Sequence, residues 1–316
     1  MSALSLRSPE RVVVRMQRRS LWAGGALVVL GIAFVIGLRI WVASSPENCA
    51  DGDTTRCGDG TYLPTYARTA TQTYLSGGGT ALLVLSVLIG VFVAGPLIAR
   101  ELESGAFRFA WAQSVSPARW LAARLVLPAL LATAGTAVLV LVYRWARSGV
   151  LGEAPTELGW SENGVYPALG PVSLAYALFA VAVGALCAVL VRRTLPAMAL
   201  TAVVLGTVMY GFGKRRYELW PTVRGLGDTP WPGGSAWNIE SGMLTSSGKE
   251  LYWKDCFTRD TVGPDCLRDQ GGVTGFVDYH PTSHFWPLQL AETGILLLLA
   301  AAATALAFRV LRRYHA

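Results

Sequence analysis

Two stretches of the sequence have residue types and spacings that could support chemistry. The run Gly242–Glu250 resembles a phosphate-binding loop, because two glycines precede Lys249. However, five residues separate the glycines where the motif has four, and a glutamate follows the lysine where the motif has Ser or Thr. We therefore predict that this run does not bind a nucleotide, and that the chain does not itself use ATP by this mechanism.

The second stretch contains two histidines, His280 and His284, which are four residues apart. On a helix they would share one face and could bind a metal. Pro281 lies between them, and no glutamate completes the pattern of a zinc protease. We interpret them as polar residues near a membrane interface, and we predict no metal site and no catalytic residue in this chain.

Apolar residues dominate the composition and indicate which elements must position the polar groups. Of the 316 residues, 53% are hydrophobic and only 15% are charged, whereas a soluble domain has about 25% charged residues. The apolar residues occur in runs of about twenty, the length that crosses a bilayer core. This pattern predicts an all-α, multi-pass membrane protein and argues against a secreted enzyme or a free nucleic-acid-binding protein. The six predicted spans are 21–43, 80–99, 120–143, 171–191, 195–212 and 286–308.

The distribution of basic residues predicts how these spans are oriented. The N-terminal tail, residues 100–124, the turn at 192–193 and the end from 309 carry 14 Lys/Arg against three acidic residues. The opposite loops carry 12 Lys/Arg against 16 acidic residues. Because basic loops stay inside, we expect both termini in the cytoplasm and the loop 213–285 outside, as an extracellular cap. The run Lys214–Arg216 is the exception, since it lies at the outer end of the fifth span.

The segment 1–20 contains Arg11, Arg15 and Arg18 on one helical face and Val12 and Met16 on the other. This spacing predicts a short amphipathic helix at the inner membrane interface. A basic anchor that only sets the orientation of the first span is the alternative.

Four of the five cysteines fall in the predicted outer loops as two local pairs, Cys49 with Cys57 and Cys256 with Cys266. Disulfides persist outside the cytoplasm, so we predict these two bonds in preference to a metal site or free thiols. Arg39 and Glu292 lie near the outer ends of the first and sixth spans. They could either extend to the interface or form an ion pair.

The stretch 100–119 is cytoplasmic by the same orientation and is too polar to cross the membrane. Gly105 breaks it, Ser116-Pro117 predicts the start of the next helix, and Phe107, Phe109 and Trp111 expose apolar surface. Such a patch fits either a protein partner or the lipid interface.

The same stretch resembles the first cytoplasmic loop of type-2 ATP-binding-cassette (ABC) transporter permeases, most closely the actinobacterial branch. Its charged Glu-x-Glu-Ser-Gly turn, aromatic segment and Ser-x-x-Arg-Trp sequence at 116–120 carry the resemblance. A weaker match is Tyr279–Glu292, which leads into the sixth span. The cap with its second cysteine pair is larger than the minimal form of that family.

The resemblance implies a permease subunit of an exporter in the cell membrane. A second permease subunit, identical or different, would complete the pathway, and two copies of a separate ATPase would bind ATP and Mg. The coupling residues it implies are Glu101, Glu103, Ser104, Gly105, Phe107, Phe109, Trp111, Gln113 and Arg119. The substrate expected from the apolar spans is hydrophobic or amphiphilic. The alternative is a membrane sensor or immunity protein whose cap binds a ligand.

Overall fold

A computed structural model describes most of the chain and places six helices that are long and apolar enough to cross a membrane within the described part. The described residues are 18–45, 48–49, 62–63, 66–107, 116–150, 158–228, 230–233, 235–256 and 264–313. The six helical segments are Gly24–Ser44, Tyr66–Ser104, Pro117–Val150, Val172–Val191, Thr194–Leu219 and Thr282–Arg313. The expected number of spans is thus confirmed. Most of the predicted amphipathic helix at 1–20 lies outside the described residues.

The spans consist of regular helices with one irregular segment. The helices are α1 Arg18–Ser44, α2 Tyr66–Ser76, α3 Gly78–Leu88, α4 Gly95–Ser104, α5 Pro117–Val150, α6 Val172–Val191, α7 Thr194–Arg215, α8 Pro264–Asp269 and α9 Phe285–Arg313. A π-helical stretch, Ile89–Ala94, joins α3 to α4. The second helical segment begins at Tyr66, well before residue 80. Its first helix, α2, was not predicted because it is amphipathic and buries only Ala67, Thr71 and Leu75. An apolar run cannot reveal such a helix.

Helix α6 lies at the centre of the bundle. In its most apolar stretch 72% of the residues are buried, compared with 11% in α1 and 17% in α7. Small residues allow this close packing: a Cβ atom on Gly90 would lie 2.8 Å from the carbonyl oxygen of Ala180, and one on Gly184 would lie 2.6 Å from that of Gly90. The π-helical stretch therefore packs backbone against backbone on α6, while α1 and α7 leave broad apolar faces for lipid or another subunit.

The segment 216–284, which we call the cap, is mainly a β-sheet, so the expectation of an all-α fold is wrong here. Its strands are β3 Val223–Gly227, β4 Trp237–Thr245, β5 Glu250–Tyr252 and β6 Gly272–His280, after the short pair β1 Asn48–Cys49 and β2 Tyr62–Leu63 in the first loop. The cap sheet is antiparallel with the order β3-β6-β4-β5. The glycine-lysine run forms the β4–β5 hairpin, in which the Thr245 amide donates to the Lys249 carbonyl at 2.9 Å. A hairpin does not present the strand-to-helix turn that binds phosphate.

A cysteine pair links the end of the turn after β5 to α8 in the cap. The sulfur atoms of Cys256 and Cys266 are 2.00 Å apart, at the distance of a disulfide, in a small core with Met243, Leu251 and Leu267. This geometry agrees with the predicted pair. Cys57 lies outside the described residues, so the first predicted pair stays a prediction. Cys187 is a buried free thiol in α6.

Thiol counting tests the cap disulfide. In a Cys49→Ser/Cys57→Ser background, Cys187, Cys256 and Cys266 remain. We expect the chain, denatured without reductant and treated with a maleimide, to gain one label by mass spectrometry, because only Cys187 is free. After reduction it should gain three. Three labels before reduction would show that Cys256 and Cys266 are not bonded in the protein isolated from its membranes.

Candidate functional site

The segment that follows α4 is delimited by a helix end and a helix start, both fixed by local chemistry. α4 ends at Ser104, and Gly105 has a φ of +74°, a left-handed conformation that favours glycine and stops the helix. At the other side, the Arg119 amide donates to the Ser116 side chain at 3.3 Å, a cap for the first turn of α5. The helix start predicted from Ser116-Pro117 is confirmed. Residues 105–116 therefore form a connection between two helices at one end of the bundle.

Glu101 joins the end of α4 to the start of α5. Its carboxylate accepts hydrogen bonds from the Trp120 indole at 3.2 Å and from Arg124 Nε at 3.0 Å, and Arg124 Nη2 adds a further contact. The Arg124 guanidinium also stacks on the Trp120 ring, 4.3 Å from its centroid. A partly buried ion pair with these additional bonds fixes the angle between the two helices.

Glu103 joins the same end of α4 to α7. Its carboxylate accepts from the backbone amide of Thr194 at 2.9 Å and from the Thr194 hydroxyl at 2.6 Å. Thr194 begins α7, where the first amides have no partner within the helix. Both glutamates implied to contact an ATPase thus have partners inside the chain, and their visible role is to connect α4 with α5 and α7.

The other residues implied by the resemblance lie differently. Phe107 is half buried against the apolar core that includes Ile98 and Leu121, whereas Arg119 and Ser104 are exposed. Phe109, Trp111 and Gln113 lie outside the described residues.

A second polar cluster lies at the opposite end of the bundle and is completely enclosed. Glu292 accepts from Arg216 Nε at 2.7 Å and Nη2 at 3.2 Å, and from the Tyr176 hydroxyl at 2.8 Å. The two charged side chains are 0% and 3% exposed. The Arg216 guanidinium lies 4.1 Å from the centroid of the Tyr166 ring. Four separate elements meet here.

This arrangement excludes the pairing of Arg39 with Glu292, which was one of the two alternatives for these residues. Arg39 lies 3.9 Å from the centroid of the Trp145 ring on α5 and donates to the Trp145 carbonyl. Arg216 takes the place of Arg39, because α9 packs on α6 and on the turn after α7 while α1 packs on α5. The sequence contained a signal for this: the run Lys214–Arg216 opposed the charge rule, and a basic residue in such a position is explained by burial with an acid.

The two histidines contact each other at the base of the cap. His280 Nδ1 lies 3.0 Å from His284 Nδ1, and His280 Nε2 lies 3.0 Å from the Tyr217 carbonyl oxygen. Burial lowers the pKa of His280 below its ordinary value. Within the described residues no group of three potential metal ligands occurs. The pair therefore belongs to the base of the cap, packed beside Trp237.

The fold and these two clusters define a multi-pass membrane protein without an evident catalytic centre in its described part. The chain matches the family model "ABC-2 membrane transporter related" over residues 23–215. This range is more than half of the chain, so the protein belongs to this family, whose members are permease components of ABC transporters. No curated protein and no solved structure matches the chain. The matched range includes the Glu101 and Glu103 contacts and ends just before Arg216.

Removing one partner of the buried ion pair should destabilise the bundle. We expect Glu292→Gln and Arg216→Gln each to cost about 3–5 kcal/mol, because each leaves a buried charge without its partner. The Glu292→Gln/Arg216→Gln double variant should cost less than the sum of the two. The measurement is thermal unfolding of the purified protein in one detergent.

Arg39→Gln provides the control for this cycle. Its effect should add to that of Glu292→Gln, since the two side chains do not touch. The structure would be contradicted if the destabilising effects of Glu292→Gln and Arg216→Gln simply added, or if the effects of Glu292→Gln and Arg39→Gln were strongly coupled.

Proposed function

We propose that the protein is the transmembrane permease subunit of an ABC exporter in the cell membrane. Family membership carries this proposal, because it implies association with an ATPase subunit. The chain would not hydrolyse ATP itself. ATP and Mg would bind to the separate ATPase, of which two copies per complex are expected, together with a second permease subunit.

The orientation in this proposal rests on the distribution of basic residues. Both termini and the segment 100–119 would face the cytoplasm, since their side of the bundle carries the excess of Lys/Arg. The cap would then face the outside, where the Cys256–Cys266 bond would persist. The second permease subunit would pack on an exposed apolar face such as that of α7.

The contacts at the end of α4 suggest how ATPase motion would reach the spans. An ATPase bound to residues 105–116 would displace the ends of α4 and α5. Glu103 would carry that displacement to α7 through Thr194, and Glu101 would hold α4 and α5 together through Arg124. Three spans would therefore move as one unit. The substrate we propose is hydrophobic or amphiphilic, because the spans offer mainly apolar faces.

The test is purification of the tagged chain from its native membranes in mild detergent, with mass spectrometry of what accompanies it. We expect an ATPase with a phosphate-binding loop at equal stoichiometry. Phe109→Ala/Trp111→Ala should reduce its recovery by about tenfold or more, since buried aromatic anchors dominate interface energies.

The matched control is Trp220→Ala/Trp231→Ala, which removes two exposed rings from the cap. It should leave recovery of the ATPase unchanged. A permease without ATPase, under conditions that preserve other such complexes, would overturn the proposal and favour a sensor or immunity protein. Equal losses in both double variants would remove residues 100–119 from the docking surface.

A further inference from the structure

An open cleft lies where the end of α5 meets the start of α9 and the base of the cap. Its volume is about 440 Å³, and its walls combine two arginines with aromatic rings. Arg144, Arg147 and Ser148 come from α5, Trp160 from the following loop, and Phe285 and Trp286 from α9. None of its lining residues belongs to the segment 100–119 or to the Glu292 cluster, although Phe285 packs on the Tyr166 ring of that cluster. No role described above uses the cleft.

The two arginines keep most of their hydrogen-bonding capacity. They are three residues apart on α5 and so share a face. Arg144 donates from Nη1 to the Leu169 carbonyl at 3.0 Å. Arg147 donates from Nε and Nη2 to the Leu158 carbonyl at 3.0 and 2.6 Å. A guanidinium has five N–H groups, so within the described residues four are uncommitted on Arg144 and three on Arg147. No carboxylate is among the described residues that line the cleft.

The position along the bundle places this cleft near the surface of the membrane. α5 has 34 residues and is therefore about 51 Å long, well beyond the roughly 30 Å of a hydrocarbon core. Arg144 is only six residues from its end. Trp286, 49% exposed at the start of α9, is the type of residue that marks the interface. In the inserted chain, the charged groups of the cleft would therefore lie at headgroup level, with the aromatic wall towards the bilayer.

We propose that this cleft binds the anionic headgroup of an amphiphile whose apolar chain lies in the bilayer. The two guanidiniums would hold a phosphate or carboxylate, for which their planar forks are suited. Phe285 and Trp286 would contact the first part of the chain. A resident anionic phospholipid and a transported amphiphile share this chemistry. The inference depends on membrane insertion of the chain and does not depend on ATPase coupling.

Native mass spectrometry of the full, delipidated chain tests the proposal. The probes are dioleoyl phosphatidylglycerol and dioleoyl phosphatidylcholine, which differ in net charge but not in chains. An arginine near an anionic lipid is worth about fivefold in affinity, so with two arginines we expect the first phosphatidylglycerol to bind about 25-fold more tightly than the first phosphatidylcholine. Arg144→Gln/Arg147→Gln should abolish the preference. Equal affinities for both lipids in the unmodified chain would overturn the proposal.

A second pair of variants leaves both arginines and their backbone bonds in place. Ser148 is exposed on α5 within the cleft. Ser148→Glu should reduce phosphatidylglycerol binding at least fivefold, because it adds a negative charge that repels the anionic headgroup. Ser148→Gln, of similar size, should not reduce binding. Equal behaviour of these two variants would contradict an anion site.

Two controls separate this site from general attraction of lipid to basic residues and from a free-anion site. Arg309→Gln/Arg312→Gln removes two exposed charges, also three residues apart, from the other end of α9. It should leave the preference intact, and an equal loss would show that the effect is not specific to the cleft. Inorganic phosphate at the lipid concentration should not displace phosphatidylglycerol. Complete displacement would show that the acyl chains of the lipid contribute nothing to binding, and it would overturn the amphiphile assignment.

Discussion

Glu292 has a carboxylate with no access to solvent, and in that environment a charge is stable only with a full set of partners. Arg216 and Tyr176 provide three hydrogen bonds, and the Tyr166 ring covers the guanidinium. These groups come from α9, from the turn after α7, from α6 and from the turn before α6. Because the cap begins at Arg216 and leads directly into α9, the same pair closes the base of the cap. This buried interaction therefore fixes the cap to the bundle, together with the hydrogen bond from the Trp160 indole to the Ser235 carbonyl at 2.6 Å.

The other end of the bundle repeats the principle with partly exposed groups. Glu101 and Glu103, two residues apart on the last turns of α4, bind α5 and α7. Between the two ends, α6 is buried on most of its surface, and Gly90 and Gly184 let the second span approach it closely. Such tightly packed helices move as bodies rather than by gradual deformation. A push at residues 105–116 would then be carried along whole spans, which is the behaviour the proposed ATPase coupling requires.

Features determined by neighbouring residues were predictable from the sequence. Apolar runs of twenty residues gave the six spans, Ser116-Pro117 gave the start of α5, and the local spacing of Cys256 and Cys266 gave their pairing. Features that depend on distant contacts were not. The partner of Glu292 is 76 residues away on another element. The sequence therefore left a pairing with Arg39 open as one of two alternatives, and the structure excludes it. α2 was not predicted because it is amphipathic rather than apolar. The cap sheet was not predicted because its strands are short and interrupted by glycines. The partners of Glu101 and Glu103 follow from helix packing that the sequence does not display.

The proposed coupling requires that residues 105–116 contact an ATPase in the assembled complex. Photo-crosslinking in native membranes tests it most directly, with benzoylphenylalanine at Ala106, which is exposed beside the end of α4, and at Ser246, which is exposed on the β4–β5 hairpin of the cap. We expect a covalent adduct with a protein that carries a phosphate-binding loop from position 106, and none with such a protein from position 246. An ATPase adduct from position 246, or no adduct from position 106 while the complex is intact, would show that residues 105–116 do not dock the ATPase.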